Sequence, residues 1–434
     1  MNYAELQNKF KNEEFRNCDH TQLYKELLNE LIVVDQSKEE DQLILLDILR
    51  ILRNSCIECQ QNQNIVMKMN MPETVSKMVY NLNQNDKYID KLYTCAFQFF
   101  GNFVAGNLET QKYFWNIVFP DFFIKFLCEN QERENCTEIC IMILYNCLLK
   151  NKIHQDDLFS NPEGERIVLA ICNMVSQTEL CSWVYLCVTN IFFNHPMFLP
   201  LLFSKSSDKI QLIVLQLYCD SREEENDANT TDSNRSNIMV LSEQFLIMYE
   251  VLCEGHSSSN IEFSAVLLDT LCWVTAISGS WNDEIDASKL IHSLIDLLKG
   301  LNLVGKNGKS NITDMPATKR SGLIQISDHA MPFKRSLVRL LGNLCYRNSK
   351  LQDDIRELGG IPLILECCNI DDNNPFMQQW ALFAIRNLCE NNAANQTEIK
   401  KLEKLGMADS PVLRDMGIAA VQDKDGNLRL EQQK

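Results

Sequence analysis

Glycine and proline are scarce in this sequence. The 434 residues include only 15 Gly and 10 Pro, and a protein built from many short strands needs both residue types at its tight turns. Hydrophobic residues make up 45% of the chain, which is enough for a large core. The composition therefore favours an ordered all-α protein.

Basic residues are outnumbered by acidic ones, and the formal net charge is −17. Binding to nucleic-acid phosphates or to anionic lipid needs a basic surface. We therefore expect no nucleic acid among the main ligands, and proteins or basic peptides as partners.

The sequence also lacks a clear secretory or membrane-spanning segment. Its start, Met1–Glu5, is polar and does not have the charged, apolar and small-residue order of a secretory signal. Residues 180–204 contain no charged side chain. A run of this length is long enough to suggest a membrane-spanning helix. However, Asn194, Pro196 and Pro200 interrupt this run, so we interpret it as two buried helices. The expected compartment is the cytoplasm, with the nucleus as an alternative.

The 18 cysteines are too dilute for a disulfide-stapled secreted domain. Most lie in apolar helical segments, where a thiol behaves as a small hydrophobic group. We therefore predict that they are reduced.

The motifs of catalytic and cofactor sites are missing or incomplete. The residues before Asn307 have the glycine and lysine spacing of a phosphate-binding loop. However, Asn307 itself stands where Ser or Thr would have to hold magnesium. Cys56 and Cys59 form a Cys-x-x-Cys pair without the second pair that structural zinc requires. A calcium-loop match fails at Val421, and no nucleophile elbow appears. The sequence predicts no enzyme, no cofactor and no metal site, although an active site assembled only in three dimensions stays open at this stage.

What the sequence does contain is an internal repeat. The string Gly342-Asn343-Leu344-Cys345 returns 44 residues later as Arg386-Asn387-Leu388-Cys389. Between the copies lie a helix stop and restart at Leu358–Leu365 and an acidic turn at Asp371–Pro375. A period in the low forties with only helical signals is typical of armadillo and HEAT arrays.

The same register extends along most of the chain. Its key positions are Asn54, Asn102, Asn146, Asn190, Thr270, Asn343 and Asn387. The sequence therefore predicts an all-α, armadillo/HEAT-like right-handed α-solenoid of about seven helical repeats.

Two intervals between these key positions, Asn190 to Thr270 and Thr270 to Asn343, are longer than the others. Both contain polar insertions, and these insertions define the predicted domain boundaries. We expect armadillo-like repeats with an N-terminal helical cap over residues 1–218, and an acidic disordered insertion over 219–237. Further repeats follow over 238–408, with a flexible loop at 300–332. The tail at 409–434 is predicted to contain a small hairpin around Asp425-Gly426.

Two features of the last repeats carry a family resemblance. The string Gly359-Gly360-Ile361-Pro362-Leu363 and the Asn-Leu-Cys helix resemble an armadillo repeat, and Phe333–Ala408 with its tail resembles the C-terminal domain of the ataxin-10 family. The resemblance implies a non-enzymatic scaffold with roles in cytokinesis, cell survival, neurite outgrowth and signalling. It implies perinuclear, centrosomal, ciliary-base or midbody localisation.

The same resemblance implies particular partners. These are O-linked N-acetylglucosamine transferase, a G-protein β subunit and further copies of the chain. The alternative hypothesis is an armadillo-type exchange factor or chaperone for a GTPase or a G-protein subunit.

In armadillo proteins that hold extended peptides, an Asn in the third helix of each unit grips the peptide backbone. An amide suits this task because it offers a donor and an acceptor together. By resemblance, the candidate partner-binding residues are Asn102, Asn146, Asn190, Asn343 and Asn387. The alternative is that each amide bridges adjacent helices.

Armadillo proteins that act as transport adaptors also carry a Trp four residues before the Asn. In this chain Phe383 stands four residues before Asn387, and Trp380 is interpreted as a core residue. A nuclear-import adaptor is therefore not expected.

A second Asn follows the first by four or five residues in five repeats. These residues are Asn107, Asn151, Asn194, Asn348 and Asn391. Because Asn tolerates the left-handed backbone conformation that ends a helix, we interpret them as helix caps.

Overall fold

The computed structural model describes residues 2–35, 38–82, 87–129, 134–177, 180–224, 233–253, 258–277, 287–306, 330–368, 376–402, 418–422 and 428–432. These residues form two compact units, which separate between Glu224 and Asn234. This boundary lies inside the predicted acidic insertion.

The first unit is helical throughout its described residues. Its helices are α1 (Tyr3–Lys9), α2 (Glu13–Arg16), α3 (Thr21–Val33), α4 (Glu39–Ser55), α5 (Gln60–Lys68), α6 (Met71–Asn81), α7 (Ile89–Val104), α8 (Leu108–Val118), α9 (Asp121–Phe123), α10 (Glu134–Leu148), α11 (Lys152–Ser160), α12 (Pro162–Met174), α13 (Ser182–Leu186), α14 (Phe198–Lys205) and α15 (Asp208–Glu224). Helix α9 continues as a π-helical turn at Ile124–Glu129, and α13 continues as a π-helical turn at Cys187–Ile191 and a 3-10 turn at Phe192–Asn194.

The second unit contains the remaining helices and one hairpin. Its helices are α16 (Ser233–Cys253), α17 (Ser258–Ile277), α18 (Ser288–Lys306), α19 (Ala330–Leu344), α20 (Ser349–Glu357), α21 (Gly360–Glu366), α22 (Met377–Cys389) and α23 (Ala393–Lys401). The strands β1 (Ile418–Gln422) and β2 (Leu428–Gln432) pair antiparallel. The predicted hairpin is therefore present, and residues 423–427, which include its Asp-Gly turn, lie outside the described residues.

Both units are built from stacked repeats. The last helix of one repeat packs against the last helix of the next; we call these the inner helices. They are α4, α7, α10 and α13 in the first unit and α17, α19 and α22 in the second. Such stacking of helical units defines an armadillo-like repeat fold, so the predicted all-α class and the number of about seven repeats are confirmed.

The N-terminal helices close the exposed side of the first repeat. Helix α1 packs on α4, and Asn54 Nδ2 donates a hydrogen bond to the carbonyl of Gln7 at 3.1 Å. Phe10, Tyr24 and Leu27 are fully buried beneath these helices. The segment therefore acts as the predicted helical cap.

Glycine is required where the helices approach each other most closely. A Cβ on Gly164, in the first turn of α12, would lie 2.1 Å from the carbonyl oxygen of Leu158 at the end of α11. A Cβ on Gly342, in α19, would lie 3.1 Å from the Cα of Ala384 in α22. In both places the neighbour is backbone, which cannot rotate away as a side chain can.

The helices extend into both predicted insertions. Helix α15 continues to Glu224 and α16 begins at Ser233, so the helical structure covers much of the stretch predicted as disordered. Helix α18 likewise continues to Lys306. The reason at α15 is that Tyr218 and Ser221 continue its buried face, although the composition there turns polar. Residues 225–232 and 307–329 lie outside the described residues.

The uncharged run near residue 190 forms two helical segments with buried side chains such as Phe192 and Phe198, as predicted. Among the described residues, no single helix has the length and apolar composition to cross a membrane. The segments Ser182–Asn194 and Phe198–Lys205 meet those criteria only together, and they are bent by 113°.

Candidate functional site

The inner helices are joined by asparagine amides. Asn102 Nδ2, in α7, donates to the carbonyl of Arg53 in α4 at 2.9 Å. Asn387 Nδ2, in α22, donates to the carbonyl of Gly342 in α19 at 2.9 Å. In both cases the acceptor is the residue just before the matching Asn of the preceding repeat, so the amide bridges successive repeats.

Asn343 makes the same bond and corrects the predicted register. Its Nδ2 lies 3.0 Å from the carbonyl of Cys272 and 3.0 Å from Thr275 Oγ1. The matching position in α17 is therefore Trp273, three residues after Thr270. Thr270 is fully buried, and its hydroxyl donates to the carbonyl of Val266 in its own helix. A shift of three residues is almost one helical turn, which is why the hydrophobic pattern alone did not separate the two positions.

Asn146 and Asn190 differ from the other three candidates. Both are half-buried, and neither side-chain nitrogen has a hydrogen-bond partner among the described residues. Asn190 lies in the π-helical turn, and its Oδ1 accepts from Thr189 Oγ1 at 3.2 Å. The wider turn changes the direction of the side chain relative to a regular α-helix, and π-turns of this kind occur often at functional sites. The side-chain nitrogens of these two residues therefore do not join successive repeats in the described part of the chain.

A second set of amides was not predicted. A Gln stands nine residues after the inner-helix Asn in five repeats, and its Nε2 donates to the carbonyl seven residues earlier. The residues are Gln63, Gln111, Gln155, Gln352 and Gln396, at 3.3, 2.9, 2.8, 3.2 and 2.9 Å. The last carbonyls of a helix have no partner inside the helix, so each Gln satisfies one at the end of its own inner helix. The constant spacing of nine residues is the signal that could have revealed them.

Gln352 also ties its repeat to the next one. Its Nε2 lies 2.9 Å from the carbonyl of Asn387 and 3.3 Å from the carbonyl of Glu390. Its Oε1 accepts from Asn392 Nδ2 at 3.1 Å. Asn392 also donates to the Asp353 carboxylate, and this bond lowers the pKa of Asp353.

The same arrangement recurs in the first unit. Gln63 Nε2 reaches the carbonyls of Asn102 and Ala105 at 2.8 and 3.1 Å, and its Oε1 accepts from Asn107 Nδ2 at 3.0 Å. One local sequence pattern therefore produces the same junction in both units.

The second Asn of the repeats caps a helix, but not in the predicted way. Asn107, Asn151 and Asn348 have extended backbones with φ of −134°, −121° and −120°, and each accepts a backbone N–H of the following helix. They are N-caps. The left-handed conformation belongs to the residue before each of them: Gly106, Lys150 and Arg347.

The two remaining members of this set differ from those three. Asn391 is left-handed as predicted, with φ of 56°, and Asn392 is the N-cap there. Asn194 lies in the 3-10 turn and donates to the carbonyl of Asn190 at 2.7 Å.

Two buried histidines reinforce the packing between repeats. His154 stacks on Trp115 with ring centroids 4.6 Å apart, and His195 stacks on Phe159 at 4.1 Å. Burial lowers the pKa of both imidazoles, against the opposing hydrogen bonds that each ring makes. Both rings are therefore packed as neutral aromatic groups, and their burial identifies them as parts of the core.

All 18 cysteines are free in the structure. Burial raises the pKa of Cys56 and of Cys172 to about 12 and raises that of Cys147 still further. A thiol in this state is protonated at neutral pH and is a poor nucleophile.

We expect maleimide to label the exposed Cys18 and Cys253 first in the native protein. Peptide mass spectrometry should find Cys56, Cys147 and Cys172 unlabelled until guanidinium chloride unfolds the chain. Labelling of those three at the same rate in native protein would contradict the buried positions described above.

Within the described parts of the chain, no group of three or more His, Cys, Asp or Glu side chains is placed to hold a metal ion.

The chain is similar in sequence to known proteins of one family. The family model described as the spinocerebellar ataxia type 10 protein domain matches residues 333–431. Ataxin-10 of Xenopus tropicalis is 31% identical over 397 residues, which cover 89% of this chain and 80% of that protein. Human ataxin-10 is 28% identical over 398 residues, which cover 89% of this chain and 82% of that protein. The Dictyostelium discoideum homologue is 46% identical over 99 residues, or 23% of this chain and 16% of its own.

An engineered protein of known structure aligns over 92% of this chain and 86% of its own, with 12% identity and a TM-score of 0.39. The similarity to the frog protein extends over 89% of the chain, and the domain match covers its C-terminal part. This chain belongs to the ataxin-10 family.

Proposed function

We propose that this chain is a non-enzymatic scaffold that binds other proteins along its inner helices. The observation that supports this best is that two half-buried residues, Asn146 in α10 and Asn190 in the π-helical turn that continues α13, have side-chain nitrogens without a hydrogen-bond partner among the described residues. A side-chain amide with a free donor can bind the backbone of an extended partner segment. Trp183 of α13 lies beside Tyr145 of α10, with ring centroids 5.7 Å apart, and aromatic groups of this kind are common in protein interfaces.

We propose that the other three candidates serve mainly to join the repeats rather than to bind partners. Asn343 and Asn387 are only 7% and 2% exposed, and their amide nitrogens are already bonded to the preceding repeat. We assign them to joining the repeats. Asn102 is half-buried and also bonded, but its Oδ1 can still accept a hydrogen bond from a partner.

Family membership supports finer proposals about cellular roles. We propose roles in cytokinesis, cell survival, neurite outgrowth and signalling, at perinuclear, centrosomal, ciliary-base or midbody sites in the cytoplasm. The proposed partners are O-linked N-acetylglucosamine transferase, a G-protein β subunit and further copies of the chain. The exchange-factor alternative predicts that the purified chain accelerates nucleotide release from a GTPase, whereas the scaffold predicts no acceleration.

Proximity labelling followed by pull-down with the purified chain tests this proposal. The wild-type chain should capture a defined set of proteins, and the double variant Asn146→Ala/Asn190→Ala should lose at least one of them. Capture of no protein above a control of unrelated sequence would contradict the scaffold. Capture of the full set by the double variant would contradict the assignment of these two residues.

A further inference from the structure

Arg339 lies between two indole rings on the inner helices of the second unit. Its guanidinium carbon is 4.3 Å from the centroid of the Trp273 ring and 4.8 Å from that of the Trp380 ring. The three residues come from three successive inner helices, α17, α19 and α22, and all are half-buried. Trp380 was expected to be core; instead it is partly accessible and holds a cation. We call these three residues the Trp-Arg-Trp stack.

The guanidinium of Arg339 has no hydrogen bond or ion pair among the described residues, and its Nε is buried without a partner. The chain as a whole is acidic, with a net charge of −17, and some of its other arginines are paired. Other arginines have acidic partners: Arg356 pairs with Asp353, and Arg166 pairs with Glu163. A buried donor that has no acceptor is costly, and an anionic ligand beside this half-buried guanidinium would supply one.

The geometry of the stack suits one kind of anion. Guanidinium is planar and presents its donors as a fork that fits both oxygens of a carboxylate. The indoles can restrict the plane of the guanidinium, so less side-chain freedom is lost when a ligand binds. Aromatic rings beside the cation also offer contact area to the apolar part of an acidic side chain.

We propose that the Trp-Arg-Trp stack binds a Glu or Asp side chain of an extended acidic segment in a protein partner. The inference rests on the proposed scaffold function and names the chemistry of one partner class. It also revises the expectation, drawn from net charge, that partners are basic. At this stack a cation already occupies the place between the rings, where the alkyl stem of a basic residue would otherwise pack.

The probe is a fluorescein-labelled peptide of six Glu-Ser dipeptides, with Gln-Ser and Lys-Ser peptides of equal length as controls. Fluorescence anisotropy at low salt should show binding of the Glu-Ser peptide, weakened by added salt. Arg339→Gln should weaken this binding by about 10- to 100-fold, the loss expected for hydrogen bonds to a charged group. Arg339→Lys keeps the charge but loses the fork, so it should weaken binding less than Arg339→Gln does.

The matched control is Arg166→Gln, which removes the same charge from an exposed side chain of α12 in the first unit. It should bind the Glu-Ser peptide with native affinity. Circular dichroism establishes that each variant is folded, and if Arg339→Gln is unfolded then Arg339→Lys alone decides. No binding of the Glu-Ser peptide, equal losses in Arg339→Gln and Arg166→Gln, or tighter binding of the Lys-Ser peptide or of a single-stranded RNA dodecamer would overturn the inference.

Failure of this inference is distinguishable from failure of the scaffold itself. If wild-type and Arg339→Gln chains capture the same proteins in pull-down, the stack is not an acidic-segment site but the scaffold still stands. If neither chain captures any protein, the scaffold proposal fails first.

Discussion

Replacing Gln352 with Leu is expected to lower the free energy of unfolding of the second unit by about 3 to 5 kcal/mol. Gln352 is 2% exposed, donates to the carbonyls of Cys345, Asn387 and Glu390, and accepts from Asn392. Leu fills a similar volume but leaves these buried polar groups without their partner. Each buried group left unsatisfied costs about 1 to 3 kcal/mol. The three bonds share the Nε2 atom of Gln352, so each of them is weaker than an isolated hydrogen bond and their costs do not simply add.

The last repeat provides a matched control for this change. Gln396 occupies the same position, is exposed, and donates only to the carbonyl of Cys389 at 2.9 Å. Gln396→Leu should therefore cost less than about 1 kcal/mol, as surface substitutions usually do. Urea unfolding followed by circular dichroism measures both variants. Equal losses in the two variants would show that the junction between repeats does not depend on Gln352.

Replacing Gly164 with Ala is expected to destabilise the first unit by about 3 kcal/mol, at the upper end of ordinary overpacking costs. The new Cβ would lie 2.1 Å from the carbonyl oxygen of Leu158, and 2.8 Å from its carbonyl carbon. Relief of this contact requires α11 and α12 to move apart. The same movement would disturb the buried side chains of Leu158 and Ile167.

Gly300→Ala is the control, with an effect of opposite sign. Gly300 lies inside α18, and a Cβ there would meet no atom within 4 Å. Ala restricts the unfolded chain more than Gly does, so this variant should be more stable by about 0.4 to 1 kcal/mol. Thermal and urea unfolding measure both variants. A Gly164→Ala chain as stable as wild type would mean that the two helices pack less closely than described.

The repeat architecture could be predicted from the sequence because the signal is periodic. The Asn-Leu-Cys strings at Asn343 and Asn387 mark equivalent positions in adjacent inner helices, and the scarcity of Gly and Pro excluded a fold of many short strands. The N-terminal cap and the C-terminal hairpin followed from local patterns in the same way. Local periodicity therefore determines the element types and their order.

The roles of individual amides could not be predicted, because they depend on contacts across repeats. Asn146 and Asn387 stand at the same point of the sequence pattern. Yet Asn387 reaches the carbonyl of Gly342, whereas Asn146 has no partner for its side-chain nitrogen in the described chain. Met142, four residues before Asn146, packs where a Cβ of Gly101 would lie, at 2.4 Å. The side chains that surround equivalent amides therefore differ from one repeat to the next, and the sequence pattern of a single repeat does not contain this information.

The Trp-Arg-Trp stack was missed for a related reason. Its members stand at three different positions of the repeat: Trp273 at the Asn position, Arg339 four residues before Asn343, and Trp380 seven residues before Asn387. A search for one aromatic residue at one fixed position could not find it. The three residues come together only because successive inner helices lie side by side.

The most direct test of the account compares two double variants in the same pair of assays. Asn343→Ala/Asn387→Ala should lower Tm clearly, because each lost amide leaves a buried carbonyl unsatisfied at a cost of about 1 to 3 kcal/mol, while the protein that remains folded captures its partners. Asn146→Ala/Asn190→Ala should keep a native Tm and lose a partner in pull-down. The account is contradicted if the first double variant keeps a native Tm but loses its partners, and the second has a lowered Tm but captures all of them. That pattern would reverse the division between repeat-joining and partner-binding amides.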